Sequence, residues 1–544
     1  MQVPAQKTQR GGGLPYKWIV AIVVIFGLFM SILDATVVNI AIPRLQTAFG
    51  APLSSVQWVA TGYTLAQGVA TPLTPFLSER LGLKRLYLLA VALFTIGSAF
   101  CGLAWNLEVL IFFRVLQGAA GACLFPLSIT MLYREFPPQE RGTAIGTLGI
   151  PILIAPALGP TLGGYIVTYA GWPLIFYINL PIGILGIVLG VLLLREYRPE
   201  GRSRFDFPGF VFSAVGLASV LYALSDASTD GWGSSKVLGF LVVGLLALVI
   251  FVIVELMTAS RGRQPLLDLR IFANGPFATA NIANVLVTFA LFGGLFLVPI
   301  YLQVLRGQTA YEAGLLLLPQ ALGAMVAVVI GGRMVDRLGV KPVVIPGLVI
   351  LAFALWRFSF VTLRTPFLEF QVLLILRGIG LGLSAQPLTI AALVDIGPRQ
   401  LTQANSLNAV MRFIASSLGV AVLATLVQSQ TTVHYVHLAE RVTTASPLGQ
   451  LVQQQVALYM ARGASLQAAT AAAVLPYIRM LQQQAYMLAI NDAFLFSLAL
   501  AIVATVSVIF IRTRPRATAV PAAAVPIEKP EEEKAAREEA RLAL

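Results

Sequence analysis

Long apolar runs alternate with short polar stretches along the whole chain. Runs of about 20 residues, the length at which a helix crosses a bilayer, occupy residues 18–41, 58–77, 86–105, 107–132, 145–170 and 172–194. Two more, 207–224 and 237–259, precede a further six at 276–304, 313–332, 342–361, 367–394, 404–427 and 485–511. The pattern predicts an all-α integral membrane protein with fourteen transmembrane helices in groups of six, two and six. An even number places both termini on one side of the membrane.

Composition sharpens the class. Of 544 residues, 58% are hydrophobic and 11% charged, and the mean hydropathy is +0.83, far from a soluble domain. The net charge of +13 would suit nucleic acid, but the basic residues gather in short loops between apolar runs: Arg80, Lys84 and Arg85; Arg195, Arg198, Arg202 and Arg204; Arg261, Arg263 and Arg270; Arg333, Arg337 and Lys341. All fall on the side that carries the amino terminus, so charge here writes topology, with both ends cytoplasmic, and no nucleic acid is expected. Cys101 and Cys123 lie inside apolar runs and read as packing residues. The start lacks a small-residue cleavage site, so the first helix is expected to be retained.

The chain carries an internal repeat. FLSERLGLKR ending at Arg85 recurs as GRMVDRLGVK ending at Lys341, with Arg80 and Arg337, and Gly82 and Gly339, each 257 positions apart. Two spans further on in each half stands a helix with an arginine, Arg114 and Arg377. The expected organisation is a cytoplasmic start (1–17), an N-terminal six-helix bundle (18–200), two inserted helices (201–270), a C-terminal six-helix bundle related by a pseudo-twofold axis (271–512) and a cytoplasmic tail (513–544). Paired halves of this kind build many secondary transporters, whose substrate site lies between them near the midplane.

Asp34 is the one charge in the first span, and an ionisable group at that depth marks a cavity or a partner. At about 1.5 Å of rise per residue, Asp34, roughly seven residues before the outer end of its span, and Arg114, roughly seven after it, lie at similar depth. An aspartate beside an arginine is held ionised; one moved into an apolar cavity binds a proton, so alternation between the two carries protons. A fixed ion pair that merely joins helices is the competing reading. Arg377 and Arg412 are the other deep charges, and neither has an acid nearby in sequence. Asp492 opens the last span and is either a second titrating group or a helix cap. Arg357, Glu369 and Glu255 sit near span ends, where long side chains reach water. In the fifth span, Gly149, Pro156, Gly159, Pro160, Gly163 and Gly164 crowd together, which suits a pivoting helix or simple close packing.

Taken together, LDATVVNIAIP from Leu33, the 79–85 loop, RVLQGAAGA from Arg114, GPTLGG from Gly159, WPLIFYINLPIG from Trp172 and ANSLNAVMRFIASSLGVAV around Arg412 resemble the major facilitator superfamily. More narrowly they are similar to its fourteen-helix drug:proton antiporters of the EmrB/QacA type, over roughly residues 18–511. The resemblance implies that Asp34 belongs to the proton or substrate site, that Arg114 is the coupling arginine and that the fifth-span glycines and prolines form the antiporter motif. It also implies that Glu79, Arg80, Gly82, Lys84 and Arg85, with Gly332, Asp336, Arg337, Gly339 and Lys341, latch the halves in one state. Pro75 and Glu79 replace the glycine and aspartate usual in the first loop, whereas Gly332 and Asp336 keep them in the second.

Residues 428–484 read as an extracytoplasmic amphipathic loop of one or two helices, with Leu448, Val452 and Val456 on one face. His434 and His437 within it are too few for a metal and read as solvated. The resemblance implies a periplasmic adaptor protein and outer-membrane channel as partners there. The expected activity is proton-coupled export of small amphiphilic compounds across a bacterial cytoplasmic membrane. No cofactor is expected: no phosphate-binding G-x-x-x-x-G-K-[ST] loop occurs, so a proton gradient is the energy source, and no catalytic group or metal cluster suggests an enzyme. The alternatives are a proton-coupled or facilitative carrier for a metabolite or lipid, and a receptor or sensor on the same scaffold.

Overall fold

The computed structural model describes residues 14–197, 205–443 and 446–510, all helix and loop. The expected tail at 513–544, most of the stretch before Trp18, and Arg198, Arg202 and Arg204 lie outside them. We number the helices α1 (Tyr16–Phe49), α2 (Trp58–Ala70), α3 (Leu83–Gly102), α4 (Leu107–Gly121, continued by Leu124–Glu135), α5 (Arg141–Tyr169), α6 (Asn179–Leu193), α7 (Phe207–Asp230) and α8 (Ser235–Ser260). There follow α9 (Gly275–Ile300), α10 (Ala310–Leu338), α11 (Lys341–Phe358), α12 (Phe367–Leu393), α13 (Leu401–Glu440), α14 (Pro447–Ala461) and α15 (Leu466–Ile509).

Twelve helices among the described residues are long and apolar enough to cross a membrane. The two other expected spans take shorter forms. The run at 58–77 is broken by a 3₁₀ turn, Thr71–Leu73, before helix resumes at Thr74–Leu81, because Pro72 and Pro75 lack the N–H that a continuous helix needs. The run at 276–304 holds a shorter apolar helical stretch, Gly275–Leu291, within α9.

The repeat sets matching turns. Gly82 (φ +88°) and Gly339 (φ +86°) end the helices before them in a conformation that side chains disfavour. Packing repeats as well: α1 lies against α5 and α6, α2 against α4, and α3 against α4 and α6, while α9 lies against α13 and α15, α10 against α12, and α11 against α12 and α15. The α7–α8 pair stands aside. α7 fills the gap between α2 and α13, stacking Tyr222 on Trp58 (5.5 Å between centroids), while Trp232 in the turn after it donates from Nε1 to the Thr425 hydroxyl of α13 (2.7 Å), and α8 rests on α7 with its far face exposed.

The two groups of six meet mainly through α5 and α10, and glycines make this possible. A Cβ at Gly146 would stand 2.9 Å from the Val328 carbonyl, and one at Gly142 would strike Gly332. The opposite face of α5 is equally close to α1: a Cβ at Gly163 would lie 3.0 Å from Val37, and one at Gly159 would overlap Thr36. α5 is thus held on both sides at near-backbone distance.

The segment expected as a separate amphipathic loop is mostly an extension of its flanking helices. α13 runs on to Glu440, α15 starts at Leu466, and only α14 stands alone between them. Leu448, Val452 and Val456 are half-buried and α14 packs on α15, where Ala469 and Ala473 are buried.

Candidate functional site

The first bundle closes around one carboxylate. Asp34 on α1 is 1% exposed and Arg114 on α4 is fully buried, with Nη1 2.5 Å from Asp34 Oδ2. Asp34 Oδ1 accepts from Asn179 Nδ2 of α6 (2.8 Å) and Gln117 Nε2 of α4 (3.2 Å). Two neighbouring helices therefore hold one side chain of α1. The guanidinium is also held by neutral acceptors: Nε donates to the Val59 carbonyl (3.0 Å) and Nη1 also to Gln117 Oε1 (2.8 Å). A charge pair out of water is tolerable only when its remaining hydrogen-bonding positions are filled in this way.

Tyr63 on α2 separates this pair from the middle of the molecule. Its ring lies under the Arg114 guanidinium (4.1 Å to the centroid), and its hydroxyl donates to the Ser31 carbonyl (3.1 Å) and accepts from Gln67 Nε2 (2.9 Å). Ser31 and Gln67 in turn line a cavity of about 250 Å³ enclosed by α1, α2, α4 and α5 on one side and α9, α10, α12 and α13 on the other. The lining is chiefly apolar, with Ser31, Thr36, Thr64, Gln67, Gln320 and Ser416 as neutral polar groups. Arg412 supplies its one formal charge among the described residues, lying over the Phe125 ring (4.7 Å) with no ion-pair or hydrogen-bond partner among them.

The second bundle repeats the arginine without the acid. Arg377, fully buried, donates from Nη1 to Gln320 Oε1 (2.9 Å) and from Nη2 to the Leu291 carbonyl (3.1 Å), and its Nε is unpaired. Gly294 leaves the room it occupies.

The loops at the basic end divide their work. Asp336 bridges the halves at the start of α5, accepting from the backbone N–H of Gly142 (2.8 Å) and of Thr143 (2.8 Å) and from the Thr143 hydroxyl (2.6 Å). Gly332 faces Gly142 beside it. Lys84 and Lys341 act within their own halves: Lys84 donates to the Val191 and Leu194 carbonyls at the end of α6 (2.8 and 2.6 Å), and Lys341 to Ile509 at the end of α15 (2.8 Å). Glu79 takes Gln264 Nε2 (2.6 Å) and caps no helix; α13 begins without a side-chain cap. Arg85 reaches Glu196 (3.4 Å), while Arg80 and Arg337 are exposed.

Three sequence readings of position are corrected. Asp492 neither opens a helix nor lines the cavity: α15 starts far upstream at Leu466, and the carboxylate pairs with His434 Nε2 (2.6 Å), which is therefore not simply solvated. Glu255 does not reach water; it is 1% exposed beneath the 265–268 segment and accepts from Leu267 N (3.4 Å). Of the fifth-span residues, Pro156 lines the cavity, Gly149 faces Val328 and Gln386, Gly164 faces Tyr311, and the Pro160 side chain lies outside the described residues. Sequence reasoning missed Gln117, Asn179, Tyr63 and Ser31. Only Gln117, three residues after Arg114 and so on the same helix face, left a readable signal.

Comparison with known proteins gives these elements a common setting. Residues 24–420 match the Major Facilitator Superfamily. The Multidrug resistance protein B homolog of Mycobacterium tuberculosis (strain ATCC 25618 / H37Rv) is 35% identical over 406 residues, 74% of this chain and 74% of that protein. The Multidrug export protein EmrB of Escherichia coli (strain K12) is 31% identical over 445 residues, 80% of this chain and 85% of EmrB. Among solved structures, that of the human organic anion transporter MFSD10 (TETRAN) aligns at 14% identity with a TM-score of 0.56, over 90% of this chain and all of that one, a likeness of fold alone. The chain is therefore a multi-pass membrane protein belonging to the major facilitator superfamily, a family of transporters, and within it to the EmrB-type group.

Proposed function

We propose that this protein is a proton-coupled multidrug exporter that moves small amphiphilic compounds out of the cell in exchange for protons. The multidrug and export names of its relatives support the substrate breadth. One observation carries the coupling: a buried carboxylate, Asp34, is matched by Arg114, Gln117 and Asn179 one side chain away from the cavity between the halves. In that arrangement Asp34 is engaged by Arg114 and out of reach of substrate. Protonation removes its attraction for Arg114, freeing α1 and α4 to shift, and the group Ser31, Tyr63 and Gln67 offers a polar route between cavity and carboxylate. Uptake of the proton from one side and its release on the other would tie each cycle to the gradient.

The rest of the reading follows the same frame. The broken α2 and the shorter apolar stretch of α9 complete fourteen spans, with 18–200 and 271–512 as two six-helix bundles and α7 and α8 inserted between them. The basic end faces the cytoplasm of a bacterial inner membrane, with both termini there. Asp336 holds the halves together at that end, and release of its grip on α5 accompanies opening. A periplasmic adaptor protein and outer-membrane channel would meet the projecting ends of α13 and α15. No cofactor takes part.

Asp34→Asn tests the reading directly, since it keeps volume and loses the titrating group. In proteoliposomes with an imposed proton gradient, the variant is expected to lose gradient-driven transport while retaining insertion and substrate binding. Wild-type gradient-driven transport by Asp34→Asn would refute it.

A further inference from the structure

The central cavity is electrically one-sided. Asp34 does not line it and is matched instead by Arg114, whose guanidinium lies over the Tyr63 ring. The neutral polar groups of the lining carry no compensating charge, and Gln320 already gives its carbonyl oxygen to Arg377. Arg412 alone is charged there, and no described carboxylate or carbonyl accepts from it. A guanidinium in an apolar enclosure without a counter-ion is costly, and an entering anion that meets it lowers that cost. Geometry prepares the meeting. The Arg412 guanidinium on α13 of the second half sits over the Phe125 ring of α4 in the first, and no described acceptor meets its N–H groups, which leaves them for a second group. Ser416, one turn further along α13, also lines the cavity, but its hydroxyl donates to the Phe413 carbonyl (2.9 Å), so Arg412 is the group that meets the anion.

We propose that the cavity selects amphiphiles bearing one negative charge, a carboxylate or an acidic phenol on an aromatic body, whose anionic group docks on the Arg412 N–H groups while the body fills the apolar lining. This rests on the exporter reading and adds the charge class of its substrate. Because Arg412 and Phe125 belong to opposite halves, the docked anion also sits where relative movement of the halves alters its contacts, which suits a group that must be released on one side.

The test compares three probes with one ring system and three charges: 1-naphthaleneacetate, its methyl ester and 2-(1-naphthyl)ethylammonium. Equilibrium dialysis against the detergent-solubilised full-length protein, with no gradient, is expected to give the acetate at least about tenfold tighter binding than the ester, with the ammonium weakest. Arg412→Gln should collapse the acetate-to-ester ratio to within about twofold, and Arg412→Lys should keep part of it, because an ammonium preserves charge and loses the planar fork. The wild-type ratio needs no variant, so a misfolded variant cannot hide the answer. Equal binding of acetate and ester, tighter binding of the ammonium, an undiminished ratio in Arg412→Gln, or binding of none of the three would overturn the proposal. Acetate preference without gradient-driven export would count against proton exchange alone. Gradient-driven export without acetate preference would count against the charge class alone.

Discussion

α4 and α12 each bury an arginine at the same place in the repeat, yet the two side chains live in different chemistry. Arg114 meets a carboxylate that two further side chains also grip, whereas Arg377 meets an amide oxygen and a backbone carbonyl, with one nitrogen left unpaired. The difference lies in the facing helix: α1 supplies Asp34 where α9 offers only the carbonyl of Leu291, with Gly294 making room. On the proposed coupling, a repeat that keeps the cation in both halves and the acid in one would confine proton binding to the first half. The second arginine is then a packing and hydrogen-bonding element beside the cavity, able to position Gln320 but unable to exchange a proton.

The sharpest way to break that comparison is to remove each arginine in turn. Arg114→Ala strands a buried carboxylate, a loss worth about 3–5 kcal/mol in pairs of this kind, and export at neutral pH is expected to fall by about a hundredfold or more. If the pair is the proton-exchanging unit, its loss should also move the pH dependence of transport. Arg377→Ala strands no charge and should reduce turnover by about tenfold at most, with an unmoved pH profile. The measurement is gradient-driven transport against pH in proteoliposomes for both variants and for Asp34→Asn/Arg114→Ala. An unshifted profile in Arg114→Ala, or strict additivity in the double variant, would separate Asp34 from Arg114 in function.

A smaller effect is expected from the glycines that seat α5 and α13. Gly159 and Gly163 bring α5 onto α1 beside Thr36 and Val37, within a turn of Asp34, and Gly419 brings α13 onto Phe289 of α9 in the matching contact. Leucine at any of the three should cost about 1–3 kcal/mol of packing. Only Gly159→Leu and Gly163→Leu act on the helix that carries the carboxylate, so they should uncouple proton flow from export. Gly419→Leu should lower turnover with coupling intact. Counting protons per exported molecule in the three variants decides it, and equal coupling in all would show that the α1–α5 contact has no special part in the exchange.

Much of this architecture is legible in the amino-acid pattern because membrane helices must satisfy their backbone internally and announce themselves as apolar runs. The pairing of Asp34 with Arg114 is legible too, since charges at that depth are few. What surrounds them is not. Asn179 is neutral and does not stand out in a run that tolerates an occasional amide, Gln117 is marked only by its spacing from Arg114, and nothing in the sequence says that the Tyr63 hydroxyl turns towards Ser31 rather than to lipid. Asp492 was misplaced for a related reason: hydropathy begins the last span near residue 485, but the Ala- and Gln-rich stretch before it favours helix as well, so α15 starts at Leu466 and the aspartate falls in its interior.

The loops at the basic end allow the mildest test of inequality between the halves. Asp336 fills the first N–H groups of α5 from across the interface and gains from the positive end of that helix, so Asp336→Asn should weaken the closed arrangement by about 1–2 kcal/mol. Glu79, one methylene longer, binds Gln264 instead and leaves α13 uncapped, so Glu79→Gln exchanges one half-exposed hydrogen bond for another and should change stability by less than about 0.5 kcal/mol. The two are best compared by placing cysteines at Arg134 and Pro398, which meet across the halves at the same end (3.5 Å), and measuring the rate at which a bifunctional thiol reagent links them. Asp336→Asn should slow crosslinking several-fold, while Glu79→Gln should leave it near the wild-type rate. If Glu79→Gln slows it as much as Asp336→Asn does, the first loop also holds the halves, through Gln264, and the asymmetry seen around the two arginines does not extend to the latch.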